Sequence, residues 1–182
     1  MKIKVSRSLC VLGAVESEMG KEIADELKGW LSWYYEVFTV WHDGSLFEQP
    51  ALRFAQDLAK LTNKPILYLH TKGAYNKPDF SARVRKMWRQ EFAKDPNKYF
   101  ATVKTDAPAV ACPFTGDDRM TRYNGFVANA AAWRCIPDIE PNSDRMVFEK
   151  LWRDSPANIF GLINDNINHD TLWEAHAYLK KL

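Results

Sequence analysis

Ile66-Leu67-Tyr68-Leu69-His70-Thr71-Lys72-Gly73 is the stretch on which the reading of this chain turns. Four apolar residues follow Pro65 and stop abruptly at a histidine, a lysine and a glycine. A short continuous apolar run bounded by turn residues fits a strand buried on both faces. Upstream, Ala51, Phe54, Ala55, Leu58 and Leu61 recur at helical spacing, and Thr62-Asn63 ends that pattern. Before it, Val37-Phe38-Thr39-Val40-Trp41 is β-branched and aromatic, a second strand that stops at His42-Asp43-Gly44-Ser45. Met19, Ile23, Leu27 and Trp30 predict a helix from about Ser17 to Ser32, and Leu9 to Val15 a first buried strand. Strand, helix, strand, helix, strand predicts a three-layer α/β/α fold with a mostly parallel, twisted central sheet.

Downstream, Pro78-Asp79 opens a third helix with Phe80, Val84, Met87, Trp88 and Phe92 on one face. Its other faces carry Arg83, Arg85, Lys86 and Arg89, and Lys72 to Lys98 holds eight basic but only three acidic side chains. Ala109 to Cys112 reads as a strand leading into the loop Thr115-Gly116-Asp117-Asp118-Arg119. Asn124 to Ala130 reads as a last inner strand or tight turn feeding a short helix through Trp133. Pro137 and Pro141 break the chain before a helix from Asp144 to Arg153, and Leu172 to Leu179 predicts a closing helix. Without an internal repeat or a long linker, residues 1–182 read as a single domain.

With 46% apolar and 26% charged residues, the composition excludes a disordered chain. A net charge of +2 advertises neither a nucleic-acid nor a membrane partner. Seven tryptophans suit a pocketed α/β protein better than a helical bundle. Cys10, Cys112 and Cys135 are widely spaced and odd in number, which disfavours a disulfide framework or zinc site and points to the reducing cytoplasm. Leu9 to Val15 is short, contains Gly13 and runs into Glu16 and Glu18, so it reads as a strand rather than a signal peptide. No run reaches the roughly 20 apolar residues of a membrane span.

In doubly wound sheets, ligands sit beyond the carboxyl ends of the strands. The polar residues expected there are His42 and Asp43, then His70, Thr71, Lys72 and Gly73, then Asp117 and Asp118, with Asn124 and Asn129 around the last strand. Ordinary turn chemistry explains some of these equally well. Lys72 is a point charge suited to a diphosphate, and Gly73 permits close backbone approach. Arg85 and Arg89, one helical turn apart, either add to that charge or belong to a solvated basic face. Asp117 and Asp118 suit a divalent metal or a general base, or are simply solvated, and Glu149 is a further acidic candidate. His169 and His176 are two helical turns apart, ~10.5 Å along an axis, too far to share one metal. Hydrolase, P-loop and dinucleotide fingerprints are absent.

Several segments resemble a loosely defined glycosyltransferase-like family. Its pattern matches Glu48-Gln49-Pro50, Tyr68-Leu69-His70-Thr71-Lys72-Gly73, Trp88-Arg89, Asn124 to Ala130 with Ile136-Pro137, and Asp144-Arg145-Met146-Val147-Phe148-Glu149, in order. Val127-Ala128 departs from the aromatic pair of that family, and the Asn124-Gly125 order is reversed. The resemblance implies a nucleotide-diphospho-sugar transferase fold of the GT-A type and transfer of a sugar from a nucleotide-sugar donor to a glycan or other hydroxyl acceptor. GT-A transferases usually carry Asp-x-Asp at the end of a central strand, holding a divalent metal. His70-Thr71-Lys72 stands there instead, so the diphosphate would be neutralised by Lys72 with His70, and a manganese or magnesium ion is not required. Asp117, Asp118 or Glu149 would be the base, with Asn124 and Asn129 on sugar hydroxyls. Two other readings stay open: a non-catalytic sugar- or nucleotide-binding domain, and a nucleic-acid module built on the basic helix with an exposed Trp88.

Overall fold

The computed structural model describes residues 7–72, 78–115, 119, 121, 124–141, 150–163 and 179–180. The chain opens with strand β1 (Ser8–Val15), helix α1 (Glu18–Tyr34), strand β2 (Tyr35–His42), helix α2 (Gln49–Thr62) and strand β3 (Ile66–His70). Helices α3 (Pro78–Lys94) and α4 (Pro96–Thr102) follow, then β4 (Ala109–Cys112), β5 (Phe126–Ala128), α5 (Ala130–Arg134) and β6 (Asn158–Gly161). Local chemistry accounts for the boundaries. Ser17 caps α1 by accepting from the Gly20 amide. Asn63 closes α2 in the left-handed conformation, and Asp95 caps α4 ahead of Pro96.

The strands form one six-stranded sheet in the order β2-β1-β3-β5-β4-β6. Here the expectation of a mostly parallel sheet is corrected: the sheet is mixed. β1 pairs parallel with β2 and β3, and β4 with β6, but β5 runs antiparallel to both of its neighbours, β3 and β4. Parallel neighbours require a crossover, usually a helix, and no helical pattern separates Cys112 from Phe126. The class stands as α/β, with helices on both faces. One core joins α1 and α3 to Leu12, Leu67, Leu69 and Val127; the other joins α2 and α5 to Val11, Tyr68, Phe126 and Trp152.

Trp88, expected on the apolar face of its helix, is fully buried, which removes the stacking surface the nucleic-acid reading needs. Met19, Phe54 and Leu61 sit at the edges of their helical stripes and are exposed. α4 and β6 were not anticipated, although Asp95-Pro96 is a helix-start signal. Of the helix expected over Asp144–Arg153, Lys150 to Arg153 form turns and the remainder lies outside the described residues. The closing helix expected from Leu172 likewise lies outside them, save for helical Leu179. Among the described residues no helix is long and apolar enough to cross a membrane.

Candidate functional site at the carboxyl edge of the sheet

The chain leaves β1 for β2 on one side and then returns past β1 to β3 on the other. That reversal opens the sheet between the carboxyl ends of β1 and β3, the position where such folds bind ligands. The described residues there form a buried polar cluster. Glu48 is 7% exposed. Its Oε1 lies 3.1 Å from His70 Nδ1, and its Oε2 accepts a 2.8 Å hydrogen bond from Asn124 Nδ2. Three elements thus meet on one carboxylate: the start of α2, the end of β3 and the approach to β5.

Local backbone geometry supports this convergence. Glu48 occupies the N-cap position of α2 but makes no side-chain cap, because its carboxylate turns to His70 and Asn124 instead. Phe47 and Asn124 both have a φ of 50°. Asparagine adopts that left-handed region readily, but a bulky phenylalanine held there costs about 1–3 kcal/mol, and such strain collects at functional sites. Gly13, in register with His70, clears space: a Cβ there would lie 2.9 Å from Ala51 Cβ and 3.4 Å from the Tyr68 hydroxyl. Tyr68, His70 and Trp88 line the cluster with ring centroids 6.4 and 5.7 Å apart.

The Tyr68 hydroxyl, the Trp88 indole N–H and Asn124 Oδ1 are buried without hydrogen-bond partners among the described residues. Buried polar atoms are almost always paired, so these two donors and one acceptor, without partners among the described residues, are open to a polar ligand, as are the indole N–H groups of Trp133 and Trp152 elsewhere in the core. Burial, and then the Glu48 charge, hold the Tyr68 phenol well above its usual range, so it remains a donor. At the neighbouring strand end, burial holds His42 below the ordinary histidine range.

The expected site residues divide sharply. His70 and Asn124 come together on Glu48. Lys72 follows on the same edge and is half-buried, its amide donating to the His70 carbonyl. Thr71 is a splice between strands: its hydroxyl accepts from the Val15 amide and its own amide donates to the Gly13 carbonyl. Arg85 pairs with Glu26 at 3.0 Å and donates to the Lys72 carbonyl at 2.8 Å, which ties α3 to the chain just past β3. Arg89 is exposed on the outer side of α3, beside Trp30 and Trp33 of α1. Asp43 is exposed and closes the turn onto Ser45, whose hydrogen bonds favour the carboxylate and hold its pKa below the usual range. Gly73, Asp117, Asp118 and Glu149 lie outside the described residues. Among the described residues no group of three or more potential metal ligands gathers.

Asn129 stands at the opposite edge. It accepts from the Ala109 and Ala132 amides and donates to the carbonyls of Val103, Thr105 and Ala107. Replacing Asn129 by alanine strands several buried groups and is expected to cost about 3 kcal/mol, a melting-point drop of roughly 6–12 °C by calorimetry. Glu48 was the residue missed among the candidates. Its signal was a glutamate, rather than a serine or aspartate, at a helix start marked by Pro50. Val127 and Ala128 are fully buried within β5, so the departure from the aromatic pair falls in the sheet and not at this cluster. No family model, no curated protein and no solved structure matches this chain.

Proposed function

We propose that this edge binds a nucleotide sugar and that the chain is a glycosyltransferase. The observation that carries the reading is the Glu48 carboxylate, buried and held on both oxygens at the strand-order reversal. In the transfer, the acceptor oxygen bonds to the sugar's anomeric carbon as the bond from that carbon to the diphosphate breaks. The acceptor proton passes to the Glu48–His70 pair, and the nucleoside diphosphate leaves beside Lys72. A cation already at the rim offsets the developing charge. Asn124 and the Tyr68 hydroxyl supply the acceptor and donor that a sugar hydroxyl pairs with. The resemblance of Tyr68 to Gly73 to the glycosyltransferase-like pattern supports the same reading. Asp117, Asp118 and Glu149 remain candidates for an acid or metal ligand, and the GT-A fold and a cytoplasmic setting belong to this proposal.

Thermal-shift measurements against nucleoside diphosphates and their sugars, with and without manganese, test it. One nucleotide at a hundredfold excess over its dissociation constant should stabilise the protein by about 2.7 kcal/mol. Lys72→Ala should abolish most of that shift. Sugar transfer should survive EDTA; its loss there would contradict neutralisation by Lys72 alone. Stabilisation without turnover, with or without metal, would instead identify a binding domain, and no shift with any nucleotide would sink both.

A further inference from the structure

α1 and α3 pack side by side on one face of the sheet, and a groove of about 460 Å³ opens between their second halves. Tyr34 leads directly into β2, which pairs with β1 from Ser8 onward. The groove therefore lies toward the amino ends of those strands, away from the Glu48 cluster at the carboxyl edge. Along one wall Trp33 is 79% exposed and its neighbour Tyr34 42%. Single apolar residues on a surface are ordinary, but two adjoining aromatic rings in a groove mark a contact surface. Gly29 sits inside α1 one turn before Trp33, where alanine would favour the helix. It is exposed, and a Cβ there would meet nothing within 4 Å, so packing within the chain does not account for the glycine. A helical side chain leans over the turn that precedes it, so Gly29, with the small Ala93 across the groove, leaves a bare floor beside the Trp33 ring.

The charges along the groove are uneven. Glu26 captures Arg85 through Oε2 at 3.0 Å. One turn further along α3, Arg89 meets Gly29 and Trp33 where a carboxylate would have matched it, and it has no ion-pair or hydrogen-bond partner among the described residues. The groove thus carries one uncompensated positive charge, with Oε1 of Glu26 left as an acceptor. A sugar ring asks for this combination. Its C–H faces are drawn to the electron-rich face of an indole, and its rim of hydroxyls needs donors and acceptors together. The spare positive charge selects a sugar that bears a carboxylate, which a guanidinium can grip through two parallel hydrogen bonds. A nucleic-acid strand fits less well, because it needs a run of cations along its phosphates, whereas Glu22, Asp25 and Glu26 are exposed along α1.

We infer that the groove between α1 and α3 is a binding site for acidic saccharides, a uronic- or sialic-acid unit stacking on Trp33 with its carboxylate on Arg89. Glu26 Oε1 and the Tyr34 hydroxyl face its remaining hydroxyls, and Gly29 lets the ring settle against the helix. This site stands apart from the transfer proposed at the carboxyl edge and does not depend on it.

The intact chain applied to an array of uronate-bearing, sialate-bearing and neutral oligosaccharides, followed by calorimetric titration of those retained, tests the inference. Acidic glycans should be retained, and the same glycans with the carboxylate reduced to an alcohol should bind roughly tenfold or more weakly. Trp33→Ala and Arg89→Ala, both at exposed positions, should keep the parent melting point and each weaken the titrated affinity roughly tenfold or more. Gly29→Leu should hold or raise the melting point, since leucine is the better helix former, yet abolish binding by filling the floor. A merely structural glycine would not separate those two readouts. Trp33→Ala should leave any nucleotide-induced stabilisation as in the parent, so the two sites stand or fall separately. Four results would overturn the inference: no acidic glycan retained, reduced glycans bound as tightly as acidic ones, full affinity in Trp33→Ala or Gly29→Leu, or a single-stranded oligonucleotide bound in place of glycans and lost in those same variants.

Discussion

Replacing Glu48 by glutamine is expected to leave a folded protein whose sugar transfer falls by about 10²–10⁴-fold, the usual contribution of a positioned proton-transfer group. Glutamine has the same shape, so its carbonyl can accept from Asn124 and its amide can face His70. What it cannot do is take a proton or hold a negative charge beside the imidazole. Glu48→Ala is expected to behave differently. It leaves the Asn124 amide and His70 facing an empty buried space, and breaking one side of a buried pair costs about 3–5 kcal/mol. Its melting point should therefore drop steeply while that of Glu48→Gln stays near the parent. Nucleotide-induced stabilisation should persist in Glu48→Gln, because the cation for the diphosphate is Lys72. Full turnover by a stably folded Glu48→Gln would show that the carboxylate only braces the fold, and the proton-transfer role would be lost.

How far the sequence anticipated this arrangement depends on whether each feature is local. The third strand, read as Ile66 to His70, has those limits in the structure, since an apolar run between a proline and polar residues is a local signal. His70 followed directly, because the end of a buried parallel strand is where polar groups meet ligands. Glu48 carries a local mark, a glutamate at a helix start before Pro50, but its role does not follow from it, because its contacts with His70 and Asn124 join residues far apart along the chain. The contrast between Asn124 and Asn129 is more instructive. They flank β5, so three strand residues carry the chain from one edge of the sheet to the other between them. Only the reversed direction of β5 decides which asparagine reaches His70. With β5 parallel, Asn129 would have stood at the carboxyl edge. The same asparagine chemistry therefore supplies a site in one case and a scaffold in the other. The arginines follow a similar logic: Arg85 and Arg89 share a helix face by spacing, yet Glu26 on α1 captures only the first.

Gly125→Ala is expected to be among the most damaging additions of a single methyl group in the described core. A Cβ at Gly125 would fall 2.3 Å from Trp88 Nε1, 2.8 Å from Cε2 and 3.0 Å from Cδ1. An indole cannot flex away as a lysine tip can, and this one is completely buried against His70. The backbone at Gly125 is not in the left-handed region, so the penalty is one of space alone. Overpacking ordinarily costs 1–3 kcal/mol, and a contact this short against a rigid ring should reach or exceed about 3 kcal/mol. The matched control is Gly29→Ala in α1, where a Cβ meets nothing within 4 Å. That change should stabilise by about 0.5–1 kcal/mol, since alanine is the better helix former. The two variants should therefore move the melting point in opposite directions. Because Trp88 packs on His70, Gly125→Ala should also weaken nucleotide-induced stabilisation, and Trp88→Phe in the same chain, which removes the obstructing ring atoms, should recover part of the lost stability. A Gly125→Ala protein as stable as its parent would mean that Trp88 does not sit against this backbone, and the wall of the proposed site would have to be redrawn.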